Sequence, residues 1–294
     1  MASREDEFNV YFDQILEEAS TIPRGMELSN VGMYSDEKVS VSRISFKSSQ
    51  NVSIAGWLTE PRDTSPRGAV IQFPAYGEVL FPQINYAAMG LIGFSVSVRG
   101  HHGSDNEVSP GFPGLLTSGL PGKDNYIYRD IVIDAIRGLI ELSAYTGDSI
   151  PVVAVGWSQG AALSIILAAL TKEVMAVSAE VPWLCNIEES LGLVEGFPYR
   201  ELNGYIAAHP NKKDIVLETI NYFDICNHAP NVDCPVLLGL GTDDPVTPIT
   251  STRKLASMIK NVRTYEYEGA GHEGGGMKHR LRQTDWIENK IAKT

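Results

Sequence analysis

Apolar and polar positions follow two different periods along the chain, and the switches between them outline the elements. Phe8, Phe12, Ile15 and Leu16 recur at helical spacing, which predicts an amphipathic helix over residues 5–20. Two runs then alternate with period two, VSVSRISF (39–46) and VSIAGWLTE (52–60), with KSSQN between them. That pattern predicts an antiparallel hairpin at a sheet edge. Past the Pro- and Gly-bearing stretch 61–68 come short apolar runs at 69–73, 93–98, 151–155, 175–181 and 235–241, and an alternating one at 263–269. Helical segments fall between them, near 82–90, 127–146, from Gln159 onward, 248–260 and 279–292.

Strand and helix in such regular alternation imply an α/β fold, a mostly parallel sheet covered on both faces. No repeat or low-complexity tract interrupts the chain, so residues 1–294 are expected to form a single domain. Two stretches break the rhythm. Residues 100–122 hold six Gly and three Pro, and residues 183–230 contain no clear strand. Both leave from the carboxyl ends of strands, where the ligand crevice of an open parallel sheet lies. The uncharged run 149–171 is long enough to suggest a membrane span, but Pro151, Gly156, Ser158, Gln159 and Gly160 interrupt it. Strand, turn and buried helix fit it better.

Composition narrows the classes of function. Apolar residues make up 43% of the chain and charged residues 20%, enough for a substantial core. The net charge of −12 argues against partners held through excess Lys and Arg, which excludes general nucleic-acid and anionic-membrane binding. The three cysteines, Cys185, Cys226 and Cys234, form no C-x-x-C pair, so neither a disulfide framework nor a structural zinc is expected. With an acidic N-terminus that lacks an apolar signal core, this points to a cytoplasmic location.

The candidate chemistry centres on Gly156-Trp157-Ser158-Gln159-Gly160, set between an apolar strand and a small-residue helix. A nucleophile elbow needs a sharp strained turn, and glycines two residues either side of the serine let strand and helix approach closely. Ser158 is thus the candidate nucleophile. In this arrangement the acid and then the base follow the serine in chain order. His272, in the glycine-rich EGAGHEGGG loop after a strand, is the candidate base, whereas His279 falls in the last helix and is expected to face solvent. Asp244 is the favoured acid, since Asp244-Pro245-Val246-Thr247-Pro248 fits the x-V-x-P register often found there; Asp243 fits one residue out. The backbone N–H groups of Gln159 and Tyr76 are candidate oxyanion donors. Pro182 and Trp183 are candidates for the wall of the acyl pocket, together with Tyr76.

At this level of detail the chain resembles carbohydrate esterase family seven, the acetyl xylan esterase and cephalosporin C deacetylase group. The family's R-G-Q, G-x-S-Q-G and H-E motifs stand here as Arg99-Gly100-His101, Gly156 to Gly160 and His272-Glu273. A G-x-x-G-x-x-T-x-G stretch from Gly111 to Gly119 and KDNYIYRD at 123–130 extend the likeness. The resemblance implies an α/β-hydrolase fold and a Ser158–His272–Asp244 triad with Tyr76 and Gln159 at the oxyanion. It also implies small acetyl esters such as acetylated xylo-oligosaccharides as substrates, no cofactor, and a homo-oligomer, hexameric in the family. His101 departs from the family's Gln.

Arg99 is expected to tie the crevice loop to the sheet, and Glu273 to orient the His272 loop or to contact Arg99. His101, His102 and Asp105 could suggest a metal, but adjacent histidines on a strand would point to opposite sides, so none is expected. Two readings compete with an acetylesterase. One is a peptidase of the prolyl-oligopeptidase type, disfavoured because no propeller precedes the hydrolase region. The other is a non-catalytic homologue, disfavoured because all three triad types remain in order.

Overall fold

The computed structural model describes every residue except 1–3, 106–107, 109–110, 112, 148–149 and 294. The first helix, α1 (Arg4–Thr21), is followed by strands β1 (Glu27–Asn30), β2 (Val39–Lys47), β3 (Ser53–Pro61) and β4 (Ala69–Phe73). Helix α2 (Ile84–Ala88) leads to β5 (Ile92–Ser97), α3 (Ile127–Thr146) to β6 (Val152–Trp157), and α4 (Gln159–Leu170) to β7 (Val174–Glu180). After four helices come β8 (Val236–Gly241), a further helix at Ile249–Met258, β9 (Val262–Tyr267) and a last helix at Gly276–Ile291.

The strands form one sheet in the order β1-β2-β3-β5-β4-β6-β7-β8-β9. The pairs β1/β2, β2/β3 and β3/β5 are antiparallel, and the remaining pairs from β5 to β9 are parallel. The predicted β2–β3 hairpin is therefore present, but β1 lies outside it and forms the edge. Its sequence ELSN is wholly exposed, so it carries no apolar alternation to betray a strand. Backbone pairing to β2 holds it, with a side-chain hydrogen bond from Asn30 to Ser40.

Chain order reverses between β4 and β6. The chain runs from β4 to its neighbour β5 on one side, then crosses back to β6 on the other. That is a topological switch point, where the loops leaving two adjacent parallel strands part and open a crevice. Phe73 at the end of β4 is paired with Gly156 near the end of β6, so the segments beginning at Pro74 and Trp157 start side by side.

The largest apolar cluster joins the strands to α1, α3 and α4, with Ile165, Phe94, Ile131 and Leu238 fully buried, and a second, smaller cluster holds Val153, Val70 and Val155 with Ile287 of the last helix. Helix α4 is buried along most of its length, as its small and apolar sequence requires. The excursion at 183–230 folds as α5 (Ile187–Leu193), α6 (Tyr199–Ala208), α7 (Lys213–Asn221) and α8 (Ile225–His228). The other, at 100–122, is loop with one 3-10 turn at Leu115–Thr117; its residues 106–107, 109–110 and 112, within the motif-bearing stretch, lie outside the described residues. No described helix is long and apolar enough to cross a membrane. All three cysteines are free, and the Cys185 and Cys226 sulfurs lie 3.8 Å apart in the interior.

His279 corrects an expectation. The last helix, here α10 (Gly276–Ile291, with α9 at Ile249–Met258), begins one turn earlier than its apolar pattern suggests. That turns His279 inward, where it is fully buried. The Tyr267 hydroxyl lies 3.0 Å from His279 Nδ1 and accepts from Arg282 at 3.0 Å. A tyrosine on the preceding strand thus partners one ring nitrogen while Nε2 is buried without a hydrogen bond, and burial holds the imidazole pKa down to about 4.

Candidate active site

The nucleophile candidate sits where sequence and sterics allow little else. Ser158 links the end of β6 to the start of α4 with φ 55° and ψ −115°, a strained backbone for a residue with a Cβ. The turn closes because its flanking positions lack side chains. A Cβ on Gly156 would come within 2.0 Å of the Gly160 carbonyl carbon, and one on Gly160 within 2.1 Å of the Phe73 oxygen. The Ser158 amide donates to Glu180 O at 3.0 Å and its carbonyl accepts from Trp183 N at 3.1 Å, fastening the elbow to the end of β7.

Loops from three strands bring the other candidates to it. Ser158 Oγ lies 3.0 Å from His272 Nε2, and His272 Nδ1 lies 2.9 Å from Asp244 Oδ2 and 3.1 Å from Oδ1. A carboxylate only accepts, so Nδ1 carries the proton and Nε2 is free to accept from the serine hydroxyl. Asp244 also accepts from the Val246 and Thr247 amides at 2.7 and 2.9 Å and from the Thr247 hydroxyl at 2.6 Å. Burial pushes its carboxyl up, but the bonds from His272 and Thr247 outweigh burial and hold it below the usual carboxylate range. Asp243 is exposed, with its side chain toward Thr242.

The His272 loop is held from three sides. Trp157 Nε1 donates to the His272 carbonyl at 2.9 Å, and the indole lies 4.8 Å from the imidazole, centre to centre. Glu273 accepts from the Gly271 amide at 3.0 Å within the loop, and Arg99 faces Asp130 and Asp134. Glu180 accepts from the Gly275 amide at 3.0 Å beneath the loop, and its burial raises its pKa to about 7. Neither Trp157 nor Glu180 was marked by the sequence, since a motif names the serine and leaves its neighbour as any residue.

The loop after β4 supplies the other wall. The amides flanking Tyr76 are committed: Ala75 N–H donates to Glu78 at 2.7 Å and Gly77 N–H to His101 Nε2 at 3.3 Å. The Tyr76 N–H between them and the Gln159 N–H at the first position of α4 remain the candidate donors for an oxyanion. The Tyr76 hydroxyl donates to Glu201 at 2.9 Å, so α6 anchors this loop through its phenol. Burial and the Glu201 carboxylate hold that phenol well above its ordinary pKa. Trp183 is buried between Tyr76, Tyr128 and Tyr199, with ring centres 5.5, 6.1 and 5.9 Å away, and Phe197 lies 5.9 Å from Tyr76. Pro182 is buried beside it.

Arg99 proves to be a fully internal linchpin. It binds Asp134 Oδ1 at 2.7 Å, Asp130 at 3.1 Å and Ser49 Oγ at 2.8 Å, joining the end of β5 to α3 and to the β2–β3 turn. His101 and His102 lie in a turn rather than on a strand, with His101 buried and His102 exposed beside exposed Asp105. Among the described residues, no three His, Cys, Asp or Glu side chains gather as a metal site.

Comparison with known proteins gives one consistent result. The acetyl xylan esterase (AXE1) family model matches residues 1–290. Acetyl esterase Axe7A of Xylanibacter ruminicola is 26% identical over 269 residues, which cover 86% of this chain and 60% of that protein. The chain thus spans less than two thirds of that relative's length. The acetyl xylan esterase of Paenibacillus sp. R4 superposes with a TM-score of 0.90 at 22% identity, over 98% of this chain and 96% of that one. Acetyl xylan esterase 1 of Thermoanaerobacterium sp. JW/SL YS485 superposes with a TM-score of 0.84 at 22% identity, over 95% and 92%. These likenesses assign the α/β-hydrolase fold.

Proposed function

The chain belongs to the acetyl xylan esterase family, and from that premise we propose that it is a serine esterase removing acetyl groups from small sugar esters. Acetylated xylo-oligosaccharides are the leading substrate class, with other small acetyl esters, cephalosporin C among them, accepted by the same chemistry. The observation that carries the reading is the unbroken relay from Ser158 Oγ through His272 to Asp244, at 3.0 and 2.9 Å, in the crevice of the switch point.

Each step follows from that geometry. His272 Nε2 takes the Ser158 proton as Oγ attacks the acetyl carbonyl, while Asp244 holds the Nδ1–H tautomer and stabilises the imidazolium. The carbonyl oxygen becomes an anion, received by the Tyr76 and Gln159 amides and the N-terminal end of α4. His272 returns the proton to the departing sugar hydroxyl, and water resolves the acetyl-enzyme by the same route. Trp183, which reaches Ser158 through its own backbone amide, and the rings around it support a short acyl chain.

Initial rates on p-nitrophenyl acetate, butyrate and octanoate, for the protein and for Ser158→Ala, test the reading. Preference for acetate with activity lost in the variant is expected; preference for octanoate would overturn the deacetylase assignment. Assembly into a homo-oligomer is part of the proposal on the family resemblance, with sedimentation velocity as its test. A cytoplasmic location is proposed from the free thiols.

A further inference from the structure

The surroundings of His101 define its chemical state. Its ring is 2% exposed. On one side Nδ1 faces the Arg99 carbonyl at 3.3 Å, a group that only accepts. On the other Nε2 faces the Gly77 amide at 3.3 Å, a group that only donates. One tautomer satisfies both, with the proton on Nδ1 and the Nε2 lone pair toward Gly77. The Gln159 side-chain amide, 3.0 Å away, shares that lone pair.

The same contacts join the two halves of the oxyanion site. The Gln159 amide nitrogen also donates to Pro74 O at 3.3 Å, and its carbonyl accepts from the Tyr128 hydroxyl at 2.6 Å. The segment 74–78 is therefore pinned at Pro74 by Gln159, at Ala75 by Glu78 and at Gly77 by His101. Only the Tyr76 amide lies between these pins. Gln159 itself begins α4 and presents the second amide. His101 thus touches the supports of both donors, Gly77 on one side and the Gln159 side chain on the other.

We propose that His101 is a positioning residue of the oxyanion site, holding the Tyr76 and Gln159 amides in register only while its imidazole is neutral. A protonated ring would turn an N–H toward the Gly77 amide and the Gln159 amide group, replacing two hydrogen bonds with donor–donor opposition. The loop must then shift, and with it the Tyr76 N–H. The titratable groups around the ring come from each neighbouring element. Asp134 on α3 favours its charged form, Arg99 is turned away to Asp130 and Asp134, Tyr128 lies beyond Gln159, and Tyr76 and Glu78 belong to the pinned loop. Burial is the largest influence and keeps the imidazole below its ordinary pKa, so the neutral form prevails at neutral pH.

This inference rests on the esterase reading, and the test separates the two. The test is kcat and KM on p-nitrophenyl acetate from about pH 4.5 to about pH 8 for the protein, His101→Gln, His101→Phe and Ser158→Ala, with melting temperatures alongside. His101→Phe removes the acceptor and is expected to lower kcat about tenfold to hundredfold with KM little changed, short of the ~10²–10³ for losing a whole oxyanion donor. His101→Gln restores an acceptor that cannot be protonated, so kcat returns to within about threefold of the parent. Its acid limb is also expected to be less steep than the parent's, by the one proton that His101 takes up in the parent. Should His101→Phe not fold, the Gln variant decides alone. Full kcat in a folded Phe variant, or an equally steep acid limb in the Gln variant, overturns the proposal. Activity surviving in Ser158→Ala overturns the esterase reading instead.

Discussion

The indole N–H of Trp157 donates to the backbone carbonyl of His272 at 2.9 Å, and the two rings lie 4.8 Å apart. The residue before the proposed nucleophile therefore holds the proposed base. Trp157 is 37% exposed, and its ring is tilted 48° to the imidazole.

Trp157→Phe keeps a ring but loses the N–H. One lost hydrogen bond of about 0.5–1.5 kcal/mol corresponds to a kcat lower by about twofold to tenfold, with KM little changed. Trp157→Ala is expected to lose more. Steady-state kinetics on a p-nitrophenyl ester check both. A rise in KM at constant kcat would make Trp157 a substrate contact instead.

The two adjacent aspartates separate sharply. Asp244→Asn leaves an amide opposite His272 Nδ1 and selects the wrong tautomer, so kcat is expected to fall by about 10⁴-fold, as for such triads generally. Asp243 is exposed and faces Thr242, and Asp243→Asn is expected to stay within about threefold of the parent. Comparable losses in both would break the assignment.

Glu180 ties stability to pH. Its folded pKa is raised from 4.5 to about 7, chiefly by burial, so its stabilising contribution is complete below about 4.5 and disappears as pH rises through about 7. A shift of that size corresponds to about 3 kcal/mol. Glu180→Gln keeps an acceptor for the Gly275 amide without the charge. Its melting temperature relative to the parent is expected to rise between about pH 4.5 and about pH 7 and then level off. A difference independent of pH would show that Glu180 is not so buried.

Arg99 anchors the site from below. Arg99→Leu leaves Asp134, fully buried, without its cation, whereas Asp130 keeps Arg129 at 3.3 Å, and the loss of one partner from a buried pair costs about 3–5 kcal/mol. Chemical denaturation measures it. A variant as stable as the parent would mean that the carboxylates are solvated by other means.

Much of this was legible in the sequence because it depends on local pattern. The apolar strands and the glycines at 156 and 160 follow from period and sterics, and the order of Ser158, Asp244 and His272 follows from the elbow. What escaped depends on distant partners. Strand β1 has no buried face, so only its pairing with β2 reveals it. His279 looks like a surface residue until Tyr267 is found beside it. The sequence marks Gln159 by its amide, yet its side chain is what joins the two halves of the oxyanion site, across 85 residues to Pro74 and 58 to His101.

The central claim is that Ser158 carries the acetyl group on its way from the ester's alcohol to water. Acid quenching during turnover of p-nitrophenyl acetate, followed by peptide mass spectrometry, locates that group directly. The account predicts an acetyl ester on the peptide containing Ser158, accumulating in the first turnover and absent from Ser158→Ala. Turnover with the acetyl group on another residue, or with the variant as active as the parent, would contradict it.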